Sequence, residues 1–218
     1  MSIKKIAAAA LFTLAPFAAQ AALTTLPAGW PPAGSSGLAP VQFNVVDLGN
    51  NAFVALGAHA YKNSASLKND GISTFFADEG TYAPDGKKYA NWSFDFAYST
   101  GGCTTCSVFL QVDTNAGAGT NFVNLLELTT LPSYSKLSGV DSWNMEMGFI
   151  TAFTGYNFNP NSASSTGFRL SLVNNDPAFA GVNSGVSEIT VNVPEPGTIS
   201  LAGLALAGMA LLRRRRKN

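Results

Sequence analysis

The chain contains a single histidine, His59, so every site built on an imidazole would have to use it. A Ser-His-Asp or Cys-His arrangement needs a nucleophile beside that ring, but residues 57–60 (GAHA) show no nucleophile-elbow pattern. A structural zinc ion normally takes four ligands, and one histidine with two cysteines supplies only three. We therefore interpret His59 as an ordinary strand or loop residue and predict no catalytic residue.

Pairs of carboxylates are the remaining catalytic candidates, since a glycosidase needs only two. Asp95 and Glu146 fall opposite the aromatic faces of predicted strands, where a solvated outer face is expected. Asp78, Glu79 and Asp141 are predicted to lie in loops. The sequence does not determine the distances between these groups, so a secreted carbohydrate-active enzyme with a carboxylate pair stays open as an alternative function.

Asp113 and Asn115 place alternate oxygen donors at the end of a predicted strand, in the run DTNAG. Calcium prefers Asp and Asn side chains together with backbone carbonyls, so these two residues are candidate calcium ligands. An EF-hand is excluded, because its twelfth position, counted from Asp113, is Asn124 instead of a glutamate. The same residues are also typical of a Gly-rich turn that needs no ion. Apart from this calcium, the sequence predicts no cofactor.

Cys103 and Cys106 are the only cysteines and are separated by two threonines. In an exported chain such a pair is expected to be oxidised. A redox-active Cys-x-x-Cys normally opens a helix after a strand, whereas here two glycines precede the pair and a predicted strand follows it. The pair therefore predicts a structural disulfide in a hairpin loop.

The segments that must position these residues show the period-two alternation of β-strands. In residues 89–99, for example, four aromatic side chains share one face. The other predicted strands are 41–48, 52–61, 72–77, 107–113, 122–128, 142–153, 167–173 and 186–193, with a turn at the Pro-Asp-Gly of 84–86. About nine short one-sided strands predict an all-β fold, an antiparallel two-sheet β-sandwich of jelly-roll type.

Residues 1–21 have the layout of a secretory signal peptide, with a basic start, an apolar run, and Ala19 and Ala21 at the expected cleavage site. A proline inside the run and its short length argue against a retained membrane anchor. Residues 22–40 form a Pro/Gly/Ser-rich leader, which we interpret as a flexible spacer. The β-sandwich domain is then expected over residues 41–193.

The last segment, residues 194–218, has three parts: the motif Pro194, Glu195, Pro196; an uncharged run over 198–212; and the basic cluster Arg213, Arg214, Arg215, Arg216, Lys217. As a helix the run would span about 22 Å, and arginine stems can extend such a short transmembrane helix by snorkelling. The arginines favour the cytoplasmic side. A plain single-pass anchor would explain the run and the arginines, but not the stiff stub that two prolines make around one carboxylate.

In order and spacing these three parts resemble the PEP-CTERM sorting signal of Gram-negative bacteria that secrete exopolysaccharide. The resemblance implies recognition by an exosortase, a multi-spanning membrane enzyme, after transient anchoring in the inner membrane. Loss of the tail and delivery to the cell surface or the extracellular matrix of a biofilm would follow. Internal stretches over roughly residues 90–175, such as WSFDFAYS and DSWNMEMGFI, resemble a recurrent group of PEP-CTERM proteins of unassigned activity.

The chain has no net charge, but seven of its 13 basic residues lie in the two terminal segments. Residues 22–193 hold 6 basic and 12 acidic residues, a net charge near −6. An acidic exported domain without a basic stripe is a poor partner for nucleic acid, and that class is excluded. The sorting tail, without a catalytic constellation beside it, predicts a non-enzymatic domain that is structural, adhesive or exopolysaccharide-binding, with exopolysaccharide or other matrix components as candidate partners.

Overall fold

The computed structural model describes residues 22–31, 42–62, 66–86, 88–115 and 119–195. The predicted signal peptide, the second half of the leader and the tail beyond Glu195 lie outside these ranges. Within them, no helix has the length and apolar character needed to cross a membrane. The predicted transmembrane helix over 198–212 is therefore a prediction about residues outside the described part of the chain.

The described residues form two sheets. One has the spatial order β1 (Phe43–Gly49), β2 (Ala52–Ala60), β5 (Trp92–Thr100), β8 (Ser138–Trp143). The other has the order β3 (Lys68–Asn69), β4 (Thr74–Phe76), β10 (Gly185–Val193), β9 (Ser164–Val173), β6 (Ser107–Asp113), β7 (Phe122–Glu127). The pairs are antiparallel except β4 with β10, which run parallel, so the prediction of antiparallel pairing is wrong there. The cause is the β3–β4 hairpin, which crosses over from the end of β2 and inserts β4 beside the last strand.

The two sheets pack face to face around one apolar core. Trp92, Phe94, Phe96 and Tyr98 of β5 all face inward and are at most 1% exposed. Phe94 stacks on Phe168 of β9 with 4.2 Å between the ring centroids, which joins the two sheets. Full burial of one such side chain contributes about 1.5–3 kcal/mol, so this aromatic layer is a main source of stability. The packing supports the predicted sandwich.

The segment predicted as one strand over 142–153 forms the end of β8, a turn, and a short helix, α1 (Gly148–Thr154). Asn144 redirects the chain, because its side-chain amide donates to the carbonyls of Ala90 and Trp92 at 3.0 and 2.7 Å. Its Oδ1 atom accepts the Ala90 N–H at 3.1 Å. A buried polar group held by three bonds to Ala90 and Trp92, at the start of β5, cannot continue a regular ladder. Glu146 consequently lies in a turn.

The described part of the leader packs against the outer face of the four-stranded sheet. Thr24 and Phe43 exchange two backbone hydrogen bonds, of 2.8 and 2.7 Å. Trp30 contacts the Phe53 ring edge-on with 4.9 Å between centroids. This part is therefore not the flexible spacer that its composition predicts, because apolar side chains set among the prolines and glycines find an apolar surface to cover. Residues 32–41 lie outside the described ranges.

At the other terminus, the fold continues up to the proline-flanked motif. Val193, the last residue of β10, is 2% exposed, and the carbonyl of Asn192 accepts the Ala77 N–H at 3.0 Å. Pro194 then ends the strand, since a proline has no N–H to donate to the ladder. The stub therefore starts directly at the edge of the folded domain, without a spacer.

Candidate functional site

A polar groove of about 270 Å³ lies on the outer face of the six-stranded sheet. Strands β6, β9 and β10 each turn alternate residues towards it, because successive side chains of a strand point to opposite faces. The residues of this groove that could contact a ligand are Asp113, Phe122, Ser165, Gly167, Glu188 and Thr190. They combine carboxylates, hydroxyls and one aromatic ring on an open surface.

Gly167 allows Asp113 and Phe122 to approach β9 closely at the groove. A Cβ atom at this position would lie 3.2 Å from Asp113 Cβ and 3.2 Å from Phe122 Cζ. Both distances are tighter than an ordinary carbon–carbon contact of about 3.5–4.0 Å. A side chain at Gly167 would therefore displace the Asp113 carboxylate or the Phe122 ring from its position in the groove.

Asp113, a predicted calcium ligand, is 3% exposed at the end of β6. Its Oδ1 atom accepts the backbone N–H groups of Asn115 and Asn121 at 2.9 and 2.8 Å, which accounts for the turn without an ion. Its Oδ2 atom accepts no hydrogen bond from the described residues, and Asp113 lines the groove. No group of three or more acidic, His or Cys side chains with metal-binding geometry occurs in the described ranges. Calcium at Asp113 and Asn115 stays a prediction.

Arg169 and Glu188 lie on neighbouring strands at the edge of the groove. The Arg169 Nε atom donates to Glu188 Oε1 at 2.6 Å, and the guanidinium carbon lies 4.1 Å from the centroid of the Phe122 ring. The two charged side chains are 33% and 43% exposed, so the pair contributes about 1 kcal/mol or less. Its main effect is to hold the ring and the Glu188 carboxylate in place.

A second polar pair lies on the outer face of the four-stranded sheet. His59 Nδ1 and Asp95 Oδ2 are 2.8 Å apart, with side chains 8% and 0% exposed. Burial raises the pKa of Asp95, and the hydrogen bond from His59 opposes that shift. His59 lies in β2, in agreement with the strand interpretation, but the prediction of a solvated Asp95 is wrong. The alternation identified the outer face correctly but could not show that this face is covered.

The other acidic candidates make no hydrogen bond to this pair, although the charge of Asp141 adds to burial in raising the pKa of Asp95. Asp141, predicted in a loop, lies in β8, where its carboxylate accepts the Tyr134 hydroxyl at 2.5 Å. The β5–β8 register places it beside a core-facing residue of β5, whereas Asp95 faces outward. Burial raises the pKa of Glu146 in its turn. Asp78 and Glu79 follow β4 in a loop, as predicted. The structure thus brings Asp95 together with a histidine instead of a second acid.

Cys103 and Cys106 lie at disulfide distance, 2.05 Å between the sulfur atoms, in the loop between β5 and β6. Both residues are buried. The neighbouring Thr105 carbonyl accepts the Asn175 side-chain amide at 2.9 Å, which ties this loop to the one that follows β9. The pair therefore closes a loop at the end of the sandwich opposite the sorting stub.

Most residues of the groove were missed by the sequence reasoning, which singled out only Asp113. The sequence of β9 does indicate a polar outer face, because Ser165, Gly167, Arg169 and Ser171 alternate with residues that face the core. Such alternation predicts a polar outer face, and a glycine inside a strand often marks the close approach of another group. The partner across that glycine depends on strand order, which the pattern does not provide.

Residues 192–216 match the family model of the PEP-CTERM protein-sorting motif. The match confirms the resemblance of the tail, and it includes the last two residues of β10, the Pro194–Pro196 stub, the apolar run and the arginines. The motif implies an exosortase as processing partner, export, and membrane-anchored sorting. No curated protein and no solved structure gives a significant match to the chain.

Proposed function

We propose that this exported chain with a PEP-CTERM motif acts at the cell surface or in the extracellular matrix as a non-enzymatic β-sandwich that binds exopolysaccharide. The observation that carries the proposal is the groove over Gly167. Small-ligand sites combine an aromatic or apolar surface with a few polar groups in fixed positions, and a sugar presents both C–H faces and hydroxyls.

The polar groups of the groove are held before any ligand arrives. Two backbone N–H groups hold the Asp113 carboxylate, and the Arg169 guanidinium holds the Phe122 ring. Preorganisation of this kind lowers the entropy lost on binding. At about 270 Å³, the groove lies just below the ~300–1,000 Å³ of typical small-molecule pockets. It suits one sugar residue of a polymer that runs along the open sheet.

Binding of exopolysaccharide from the producing cells to the exported protein tests the proposal, with two matched variants. Ser165→Trp places a large side chain in the groove, and we expect at least about tenfold weaker binding. Ser171→Trp is the control, because Ser171 lies on the same face of β9, about 20 Å away along the strand. This control should bind like the native protein.

Equal binding by the two variants would contradict the assignment of the groove. Release of reducing ends from the polymer over time would instead support the alternative, a carbohydrate-active enzyme with a carboxylate pair. Each result is read from the same incubation, by sedimentation of the polymer and by a reducing-sugar assay.

We also propose that an exosortase removes the tail before the protein reaches its final location. Glu195→Ala leaves the apolar run and the arginines unchanged, so membrane insertion should persist while recognition of the stub is lost. Full-length protein should then accumulate in the inner membrane. Intact-mass measurement of the native surface protein decides the question, and Arg213–Lys217 still attached would contradict removal.

A further inference from the structure

The groove over Gly167 has an unbalanced negative charge. Glu188 is neutralised by Arg169, with 2.6 Å between Nε and Oε1, and Arg169 also packs against the Phe122 ring. Asp113 has no such cation beside it within the described residues; its Oδ1 atom accepts two backbone N–H groups. The residue is 3% exposed and lines the groove, so the charge of Oδ2, which accepts no hydrogen bond from the described residues, acts mainly towards the groove.

This charge discriminates between classes of saccharide. A polymer of uronic acids or sulfated sugars would be repelled by Asp113 and by the net charge near −6 of residues 22–193. A neutral sugar would gain only ordinary hydrogen bonds. A sugar with an ammonium group would donate to the carboxylate in a charge-assisted bond, which is roughly twice as strong as a neutral one.

We propose that the groove selects a hexosamine with a free amino group, the repeating unit of a partly deacetylated amino-sugar polymer. Its ammonium group donates to Asp113 Oδ2, its ring lies against the edge of Phe122, and its hydroxyls bond to Ser165 and Thr190. The missing side chain at Gly167 lets Asp113 and Phe122 pack closely together at the groove, where they contact the sugar from one side. This inference rests on the proposed function, because it names the substrate class of the same groove.

The test compares two oligomers of one length, glucosamine tetramer and N-acetylglucosamine tetramer, by calorimetry on the exported protein in mildly acidic buffer. We expect the glucosamine tetramer to bind at least about tenfold more tightly. Rising salt should reduce this preference, since the added interaction is between charges. Asp113→Asn should abolish the preference and leave the weaker binding of the acetylated oligomer in place. Asparagine keeps an Oδ1 acceptor for the two backbone N–H groups.

Asp176→Asn is the matched control, because Asp176 lies in the loop after β9 and its Oδ1 atom likewise accepts a backbone N–H, from Ala178 at 2.9 Å. It should keep the full preference. If Asp113→Asn does not fold, Ser165→Lys provides the second variant: its own ammonium group occupies the groove and should abolish the preference.

Equal affinity for the two tetramers would overturn the inference and leave exopolysaccharide binding intact. A preference that survives in Asp113→Asn or in Ser165→Lys would also overturn it. If neither tetramer binds while the producing cells' own polymer binds through the groove, the ligand is of another sugar class and the inference is wrong. If nothing binds, the proposed function fails as well.

Discussion

The buried pair of His59 and Asp95 makes a sharp prediction about stability. His59→Leu removes the 2.8 Å hydrogen bond to Asp95 Oδ2, and the other carboxylate oxygen has no hydrogen-bond partner among the described residues. Asp95 itself is 0% exposed. Breaking a buried pair in this way costs about 3–5 kcal/mol, because an uncompensated charge is left behind. That is a large part of the roughly 5–15 kcal/mol that stabilises a typical domain.

The double variant His59→Leu/Asp95→Val isolates the cause. Replacing both partners by apolar residues of similar volume is often neutral or stabilising, so the double variant should recover most of the loss. A plain packing role for His59 predicts the opposite, since a second change in the same place would lower the stability further. The free energy of unfolding is measured by urea titration with tryptophan fluorescence.

The stability is also expected to depend on pH in a defined direction. Burial raises the pKa of Asp95, so the folded state binds a proton more tightly than the unfolded chain, and stability falls as the pH rises through the folded-state pKa. Without His59 the pKa of Asp95 rises further, because only the Ser142 side chain still opposes the effect of burial, and the slope reaches at most about 1.4 kcal/mol per pH unit. The gap between His59→Leu and the double variant should therefore close as the pH falls. A gap that stays constant from neutral to acidic pH, or a loss under about 1 kcal/mol in His59→Leu, would refute the reasoning.

Three further results are expected. Replacing Cys103 and Cys106 by serine should leave a folded domain that is less stable by about 2 kcal/mol or less, because the closed loop is very short; alkylation with mass spectrometry checks the native bond. Burial would raise the pKa of Asp70, but three backbone N–H donors lower it to about 2. Asp70→Ala should therefore lower the free energy of unfolding by about 1 kcal/mol at neutral pH. This loss should vanish in urea titrations as the pH falls from 3.8 towards 2. Calcium at Asp113 and Asn115 should raise the melting temperature, and an unchanged melting curve with excess calcium or chelator would remove that prediction.

Local alternation predicts the strands well where it is uninterrupted. The strand over 107–113 has the same bounds in sequence and structure, and β2, β7, β9 and β10 differ from their predictions by a few residues at most. The prediction failed over 142–153 because the hydrogen bonds of Asn144 reach a loop more than fifty residues away in the chain. A pattern of apolar residues cannot register a polar contact of that range. The two-residue strand β3 is too short to carry any pattern.

The sorting tail consists of residues that are adjacent in the chain, whereas the groove consists of residues that folding brings together. The tail is a linear signal whose parts are adjacent in the chain, so the sequence alone identified it and the family model confirms it. The groove is assembled from Asp113, Phe122, Gly167 and Glu188, which come from four strands. Their meeting depends on strand order, which places β9 between β6 and β10. The sorting motif can therefore be recognised from 25 consecutive residues, whereas the groove is apparent only in the folded structure.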